Sequence, residues 1–301
     1  MFTIEHIEYK NSNKIVLKDL DTDSSATIRL DLGGSLRELV LQGAEIIKSP
    51  NQIPYQTSFA SAILFPFANR VQQGTYSFQH TNYTLELNEN NKNALHGLIY
   101  NQYFEFVSQE VTADSASITL SYLETHNSIG FPYSFEVFLT YTLTNNSLNL
   151  KVRVKNTSSK TFPFTLGWHP YFYSPNLYHS FLRFKSSKKI VFDKDMIPET
   201  LKTVLPEQKE FQIKDRKYDD CYLIDSTTIM FETPKYTVKL SSSTENNYIQ
   251  LYTPDASNFI AIEPMTGPSN SFNNNLGLKT LNAGENYHGY WNIQLTQIHK
   301  P

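Results

Sequence analysis

Alternation of apolar and polar residues with a period of two is the dominant pattern along the chain. Three such runs lie between residues 116 and 154. They are Ile118, Leu120 and Tyr122; then Phe135, Val137, Leu139 and Tyr141; then Leu148, Leu150, Val152 and Val154. This pattern is typical of strands that bury one face, as strands of antiparallel sheets do. Asn145-Asn146 separates the last two runs and predicts a hairpin turn.

The ends of the chain show the same pattern, and no long segment has helical periodicity. Residues 1–50 contain short alternating runs divided by Gly33-Gly34, which indicate an opening meander. The segment Tyr290–Leu295 predicts a closing strand. We therefore predict an all-β fold with antiparallel pairing. The length of 301 residues fits one large domain or two ordinary ones, and no repeat of 20–50 residues is visible.

Composition supports strands and argues against several classes of function. Aromatic residues make up 14% of the chain and charged residues 18%, and aromatic side chains suit a pleated, half-buried surface. A net charge of −3 and a pI near 6.2 argue against nucleic-acid binding, and no Lys/Arg cluster or long apolar run indicates a membrane. Cys221 is the single cysteine and no signal-peptide pattern is present, so we expect a cytoplasmic protein without a disulfide framework.

Two titratable side chains each stand between an apolar run and a proline. His169 precedes Pro170 and three aromatic residues, and a proline cannot donate to a strand ladder, so the strand must end or bend there. Glu263 precedes Pro264 at the end of a continuous apolar run. A desolvated carboxylate can act as a base near neutral pH, where an imidazole also titrates. Aromatic faces beside such groups suit a sugar, although His169 alone could equally be a core histidine.

Further polar candidates stand beside apolar segments. Asn69 and Arg70 end one such segment, and an arginine there is costly unless it is paired. Its fork of donors suits a hydroxyl-rich ligand, with an ordinary surface arginine as the alternative. His96 precedes Gly97 at a junction between a strand and a turn.

A pair of adjacent acids, Asp219 and Asp220, begins another apolar strand, where a solvated strand start is the alternative to a functional role. The chain has no phosphate-binding glycine loop, no C-x-x-C or H-E-x-x-H pattern and no G-x-S-x-G elbow. A dedicated zinc site and a serine hydrolase are therefore not expected.

Taken together and in order, these motifs resemble the aldose 1-epimerase (mutarotase) family. The matching segments are Asn69-Arg70 with Gly74, Leu95-His-Gly97, Trp168-His-Pro-Tyr-Phe172, Tyr218-Asp219, Glu263-Pro-Met-Thr266, Gly277-Leu278 and Ala283-Gly-Glu285. The resemblance implies a large antiparallel β-sandwich, the galactose mutarotase-like supersandwich, as a single domain over residues 1–301. A concave sheet of this domain would hold the sugar.

The resemblance also implies a reaction, the interconversion of α and β anomers of a free aldose. Glu263 would take the proton from the anomeric hydroxyl as general base, and His169 would protonate the ring oxygen as general acid. The implied substrate-binding residues are Asn69, Arg70, His96 and Asp219, with Asp220 left open as a substitute for Asp219. A monosaccharide is the expected partner, and no cofactor or metal is expected. Leu98 stands where galactose enzymes tend to have a second glycine, so the sugar stays open, as does the choice between monomer and dimer.

Three alternatives are weaker on the residues. A hexose-6-phosphate mutarotase should carry several Arg or Lys side chains near the cleft, and only Arg70 lies in a convincing motif. A non-catalytic carbohydrate-binding domain need not retain both His169 and Glu263. Glycoside hydrolysis usually needs a pair of carboxylates, and only Glu263 has a strong strand-end setting.

Overall fold

The computed structural model describes residues 1–9, 12–125, 128–203, 210–243, 248–256 and 258–299. In these ranges, helical structure is limited to α1 (Tyr55–Ser58), α2 (Ser271–Asn274) and a 3-10 turn at Leu177–His179. This agrees with the absence of helical periodicity in the sequence. None of the helices in the described ranges has the length or apolar character needed to span a bilayer.

Strands make up most of the regular structure. The strands before residue 130 are β1 (Phe2–Tyr9), β2 (Ser12–Asp19), β3 (Ser24–Arg29), β4 (Ser35–Leu41), β5 (Ala44–Lys48), β6 (Ile63–Leu64), β7 (Arg70–Gln72), β8 (Thr75–Phe78), β9 (Thr81–Thr84), β10 (Asn93–Leu95), β11 (Glu105–Val111) and β12 (Ala116–Glu124). Those after it are β13 (Phe135–Leu143), β14 (Ser147–Asn156), β15 (Phe162–Phe164), β16 (Gly167–Trp168), β17 (Tyr171–Tyr173), β18 (Phe181–Arg183), β19 (Ser186–Phe192), β20 (Pro198–Thr203), β21 (Phe211–Gln212), β22 (Asp219–Ile224), β23 (Thr228–Glu232), β24 (Tyr236–Ser242), β25 (Tyr248–Tyr252), β26 (Phe259–Met265), β27 (Lys279–Leu281) and β28 (Asn286–Ile298).

Two large antiparallel sheets organise the described residues. The larger follows the order β1-β2-β3-β4-β5-β17-β26-β25-β22-β19-β20, with β16 and β6 attached beside β26. The smaller follows β11-β12-β13-β14-β28-β24-β23-β18-β21. Apolar side chains from the inner faces of both sheets form one continuous core. The predicted all-β sandwich is therefore confirmed, and β1 to β5 form the predicted opening meander.

Burial follows the alternation in the sequence. Along β13 the side chains alternate strictly between buried and half-buried, with Phe135 and Leu139 on the buried face. Buried Tyr141 donates from its hydroxyl to the carbonyl of Gly34, 2.8 Å away, and so ties the smaller sheet to the loop before β4. The predicted turn is present at Asn145-Asn146, where Thr144 N donates to Ser147 O at 2.9 Å.

Pro170 and Pro264 affect their strands differently. The strand is interrupted at His169-Pro170, between β16 and β17, as predicted. The prediction that Glu263 ends its strand is wrong, because β26 continues through Pro264 to Met265. Ile262 N donates to Pro170 O at 3.3 Å, and the nitrogen of Pro264, two residues later, faces the same side. The missing N–H therefore lies beside the break between β16 and β17, where little ladder bonding is lost.

Candidate active site

A cavity of about 430 Å³ opens on one face of the larger sheet. Its wall includes all six side chains that the sequence analysis assigned to a site. They are Asn69, Arg70, His96, His169, Asp219 and Glu263. The volume lies within the range of about 300–1,000 Å³ that is usual for small-molecule sites.

Strand register builds the first wall of the cavity. Gln250 in β25 lies opposite Glu263 in β26, and Asp219 in β22 lies opposite Tyr252. Tyr171 in β17 is paired with Ala261, two residues before Glu263. Directly opposed residues share a face of the sheet, as do residues two apart in one strand. Four neighbouring strands therefore present these side chains to the same space.

The second wall is formed by the pairing of β7 with β10. Leu95 lies opposite Arg70, and His96 N donates to Asn69 O at 2.9 Å. Gly97 then has φ +79°, and a Cβ placed there would lie 2.3 Å from the carbonyl oxygen of Phe65. The turn after His96 therefore requires glycine, and the close approach to Phe65 fixes the imidazole against the site.

His169 and Glu263 meet at the base of the cavity. Nε2 of His169 lies 3.4 Å from Oε1 of Glu263, and the side chains are 6% and 2% exposed. Burial lowers the pKa of His169 to about 4. Burial, assisted by the negative charge of Asp219, raises the pKa of Glu263 well above its usual range. His169 Nδ1 and Glu263 Oε2 have no hydrogen-bond partner in the described protein.

Aromatic rings surround this pair. The ring of Tyr171 stacks on His169 with centroids 5.1 Å apart, and His96 meets His169 edge-on at the same distance. Phe59 also meets His96 edge-on, with ring centroids 4.7 Å apart. Burial lowers the pKa of His96 well below its usual value, and the charges of His169 and Arg70 add to the effect. The neutral imidazole of His96 is thus a hydrogen-bonding group of the wall.

Arg70 differs from the free fork of donors that the sequence suggested. Its Nε and Nη2 donate to the carboxylate of Glu89 over 2.6–3.0 Å, and its Nη1 donates to Asn69 Oδ1 at 3.0 Å. A guanidinium has five N–H groups, so one on Nη1 and one on Nη2 stay available. Burial raises the pKa of Glu89, but the hydrogen bonds from Arg70 and Asn93 outweigh it and hold this pKa below its usual value.

The structure separates the two adjacent acids. Asp219 lines the cavity and accepts a hydrogen bond from Gln250 Nε2 at 2.6 Å. Asp220 points elsewhere and pairs with Lys189 Nζ at 2.6 Å and with Arg216. Asp219 is an exposed residue that lines the cavity, and the surrounding wall still removes part of the water from its carboxylate. That desolvation raises the pKa of Asp219, against the opposing effects of Arg70 and Gln250.

Several cavity residues were missed in the sequence. Gln250 had a usable signal, because it is a polar residue inside an otherwise apolar strand and is 2% exposed. Glu89 had none, because it lies in a polar loop among asparagines. Gln56, Thr57, Phe59, Asn88, Asn90 and Tyr252 also line the wall and were not identified as candidates. Among the residues that the structure describes, no group of three or more His, Cys, Asp or Glu side chains is arranged to hold a metal ion.

Residues 16–294 match the family model described as aldose 1-epimerase. The chain belongs to the aldose 1-epimerase family. This family member is 26% identical to YihR of Escherichia coli (strain K12), an uncharacterized protein, over 285 residues and 90% of each chain. It is 29% identical to galactose mutarotase of Sus scrofa over 173 residues, which cover 56% of this chain and 48% of that protein. The second match thus spans about half of the mutarotase.

Solved structures share the fold of this aldose 1-epimerase family member. A galactose mutarotase-like protein from Clostridium acetobutylicum superposes with a TM-score of 0.88 at 20% identity, over 98% of this chain and 99% of that one. Galactose 1-epimerase from Lactobacillus acidophilus NCFM gives 0.82 at 17% identity, over 100% and 99%. Family membership supports a mutarotase-like isomerase activity with a small sugar as substrate.

Proposed function

We propose that the protein interconverts the α and β anomers of a free aldose. The observation that carries the proposal is the contact of His169 Nε2 with Glu263 Oε1, 3.4 Å apart at the base of a polar cavity. Opening a pyranose ring needs one group that removes a proton and another that supplies one. A carboxyl and an imidazole in the same cavity provide both.

Glu263 acts as the base and His169 as the acid in the proposed reaction. Glu263 takes the proton of the anomeric hydroxyl, the C1–O1 bond becomes a carbonyl, and the C1–O5 bond breaks. His169 gives its proton to O5 in the same step. Rotation about the C1–C2 bond turns the other face of the aldehyde to the O5 hydroxyl. The ring closes as His169 takes the O5 proton back and Glu263 returns a proton to O1, so atoms and charges balance.

This cycle requires the pair to hold one proton in total. In the ligand-free protein, burial favours the form in which Glu263 is protonated and His169 is neutral, because burial raises the pKa of Glu263 and lowers that of His169. The reactive form, a carboxylate beside an imidazolium, contains the same number of protons. Sugar hydroxyls that hydrogen-bond to this pair from the cavity would stabilise that charged form. Binding of the sugar thus prepares the pair for reaction, and the pair titrates as a unit.

The remaining wall residues would bind and orient the sugar. The two spare N–H groups of Arg70, the amide of Asn69 and the imidazole of His96 would contact hydroxyls from one wall, and Asp219 would do so from the other. Among the described residues of the wall, Arg70 is the only Arg or Lys, and Glu89 already pairs with it. This favours a free aldose over a sugar phosphate, which calls for several cationic side chains.

The test is anomer exchange of freshly dissolved glucose, galactose, xylose and arabinose, followed by polarimetry or NMR with and without the protein. We expect acceleration over the buffer rate, and a loss of about 10²–10⁴-fold in turnover for Glu263→Gln and for His169→Asn. Glu110→Gln makes the same chemical change as Glu263→Gln on an exposed strand outside the cavity and should leave the rate unchanged.

Circular dichroism of each variant shows whether the fold is kept. Near-full activity in a folded Glu263→Gln or His169→Asn protein would remove that residue from the mechanism. An absence of acceleration on every free aldose would refute the proposal. Cleavage of a disaccharide would indicate a hydrolase, since Asp219 and Glu263 then provide two carboxylates in one cavity.

A further inference from the structure

The ion pair between Arg70 and Glu89 sets the charge of one side of the cavity. Both side chains are largely buried, at 17% and 18% exposure, and the carboxylate of Glu89 accepts hydrogen bonds from Nε and Nη2 of Arg70. Glu89 also accepts a hydrogen bond from Asn93 Nδ2 at 2.9 Å, which anchors it to β10. Arg70 is therefore held rigidly and its positive charge is offset where a ligand would meet it.

The other charges of the wall do not restore a positive potential. His169 and Glu263 are neutral as a pair when they share one proton, and His96 is a neutral imidazole. The hydrogen-bond partner of Asp219 is the amide of Gln250, and Arg70, the cation of the wall that acts on Asp219, is already paired with Glu89. The nearby cations are engaged outside the wall. Lys189 and Arg216 pair with Asp220, and Lys92 pairs with Asp195 at 3.0 Å.

We propose that Glu89 is a specificity-determining residue that makes the cavity reject anionic sugars by neutralising Arg70 and holding it in place. This inference rests on the proposed function and narrows its substrate class to neutral sugars. A uronic acid brings a carboxylate in place of the C6 hydroxymethyl group of the matching aldose. It would meet the negative charge of Asp219 and no unpaired cation. Removing the charge of Glu89 leaves Arg70 with an unbalanced positive charge and should relieve the rejection.

The experiment compares glucose with glucuronate and galactose with galacturonate, by anomer exchange and by saturation-transfer NMR binding. In the wild-type protein we expect each uronate to be at least about tenfold worse in kcat/KM and in affinity than its aldose, a ratio that corresponds to about 1.4 kcal/mol. Glu89→Gln keeps the side-chain size and should narrow this gap by about tenfold. Arg70→Gln leaves the negative charge of Glu89 without a partner and should widen the gap between the aldose and the uronate.

Two further variants separate charge from position. Glu86→Gln removes the same charge from an exposed side chain of the same loop, outside this cavity, and should leave the ratio unchanged. Glu89→Asp keeps the charge but shortens the side chain. It should preserve the rejection of uronates while raising KM for the aldose, because Arg70 is held less well.

The inference would be overturned if the wild-type protein had the same kcat/KM and affinity for a uronate as for its aldose. An unchanged ratio of aldose to uronate kcat/KM in a folded Glu89→Gln protein would overturn it as well. If Glu89→Gln does not fold, an unchanged or narrower gap in Arg70→Gln overturns it equally. Failure of the proposed function shows differently, as no acceleration of any aldose. The binding comparison still ranks the sugars in that case.

Discussion

His169→Asn should change how the stability of the protein depends on pH. In the folded protein burial lowers the pKa of His169 to about 4, whereas the unfolded chain has the ordinary value near 6.5. Between these values the unfolded chain takes up a proton that the folded protein does not. Stability therefore falls as the pH decreases from 6.5 to 4. Asparagine has no such proton, so the variant escapes this loss.

The size of the effect follows from the two pKa values. The difference of about 2.5 pKa units lowers the free energy of unfolding by about 3 kcal/mol once the pH is below 4, and by about 2 kcal/mol at pH 5. Glu263 is present in both proteins, so its own titration cancels to first order in the comparison. The wild type should thus lose about 2 kcal/mol relative to His169→Asn between pH 7 and pH 5.

Urea unfolding of both proteins at pH 7 and pH 5 measures this difference. His80→Asn is the matched control, because His80 is exposed in a turn and has φ +62°, a conformation that asparagine tolerates well. It should show no comparable change. A wild-type-to-variant difference that stays constant to within about 0.5 kcal/mol would refute the lowered pKa. A wild type that gains stability in acid would mean that Glu263 is ionised in the empty cavity and raises the pKa of His169.

Two further predictions address the reaction and the wall that holds His96. After subtraction of the buffer rate, kcat/KM should stay constant as the pH is lowered until about pH 4 and then fall. Activity is lost only when the pair of His169 and Glu263 takes up a second proton, which His169 accepts with its lowered pKa. A decrease of kcat/KM already near pH 6.5 would contradict this. Gly97→Ala should cost about 3 kcal/mol or more in thermal or urea unfolding and reduce turnover, since its Cβ would lie 2.3 Å from Phe65 O at φ +79°. Gly284→Ala, at φ +76° with no atom within 4 Å of its Cβ, should cost only about 1 kcal/mol, and an equal loss in the two variants would show that the close contact is unimportant.

The sequence alone determined the class of fold and the candidate site residues. Alternation in β13 and β14 predicted which side chains are buried, because successive residues of a strand point to opposite faces whatever the strand pairs with. The break at Pro170 was equally local, since a proline removes a donor from its own strand. His169, Glu263 and Arg70 were identifiable because a charged or titratable side chain beside an apolar run is unusual.

Only the tertiary structure decided how these residues are arranged. Asp219 and Asp220 are adjacent and chemically alike, but only Asp219 lines the cavity, because neighbouring residues of β22 face opposite sides of the sheet. Glu263 lies inside β26 because the missing donor of Pro264 meets a break in a neighbouring strand nearly a hundred residues earlier. The pairing of Glu89 with Arg70 depends on the loop before β10 folding back onto β7. Such contacts join residues far apart in the chain, so their energy is set by the register of strands and not by any local pattern.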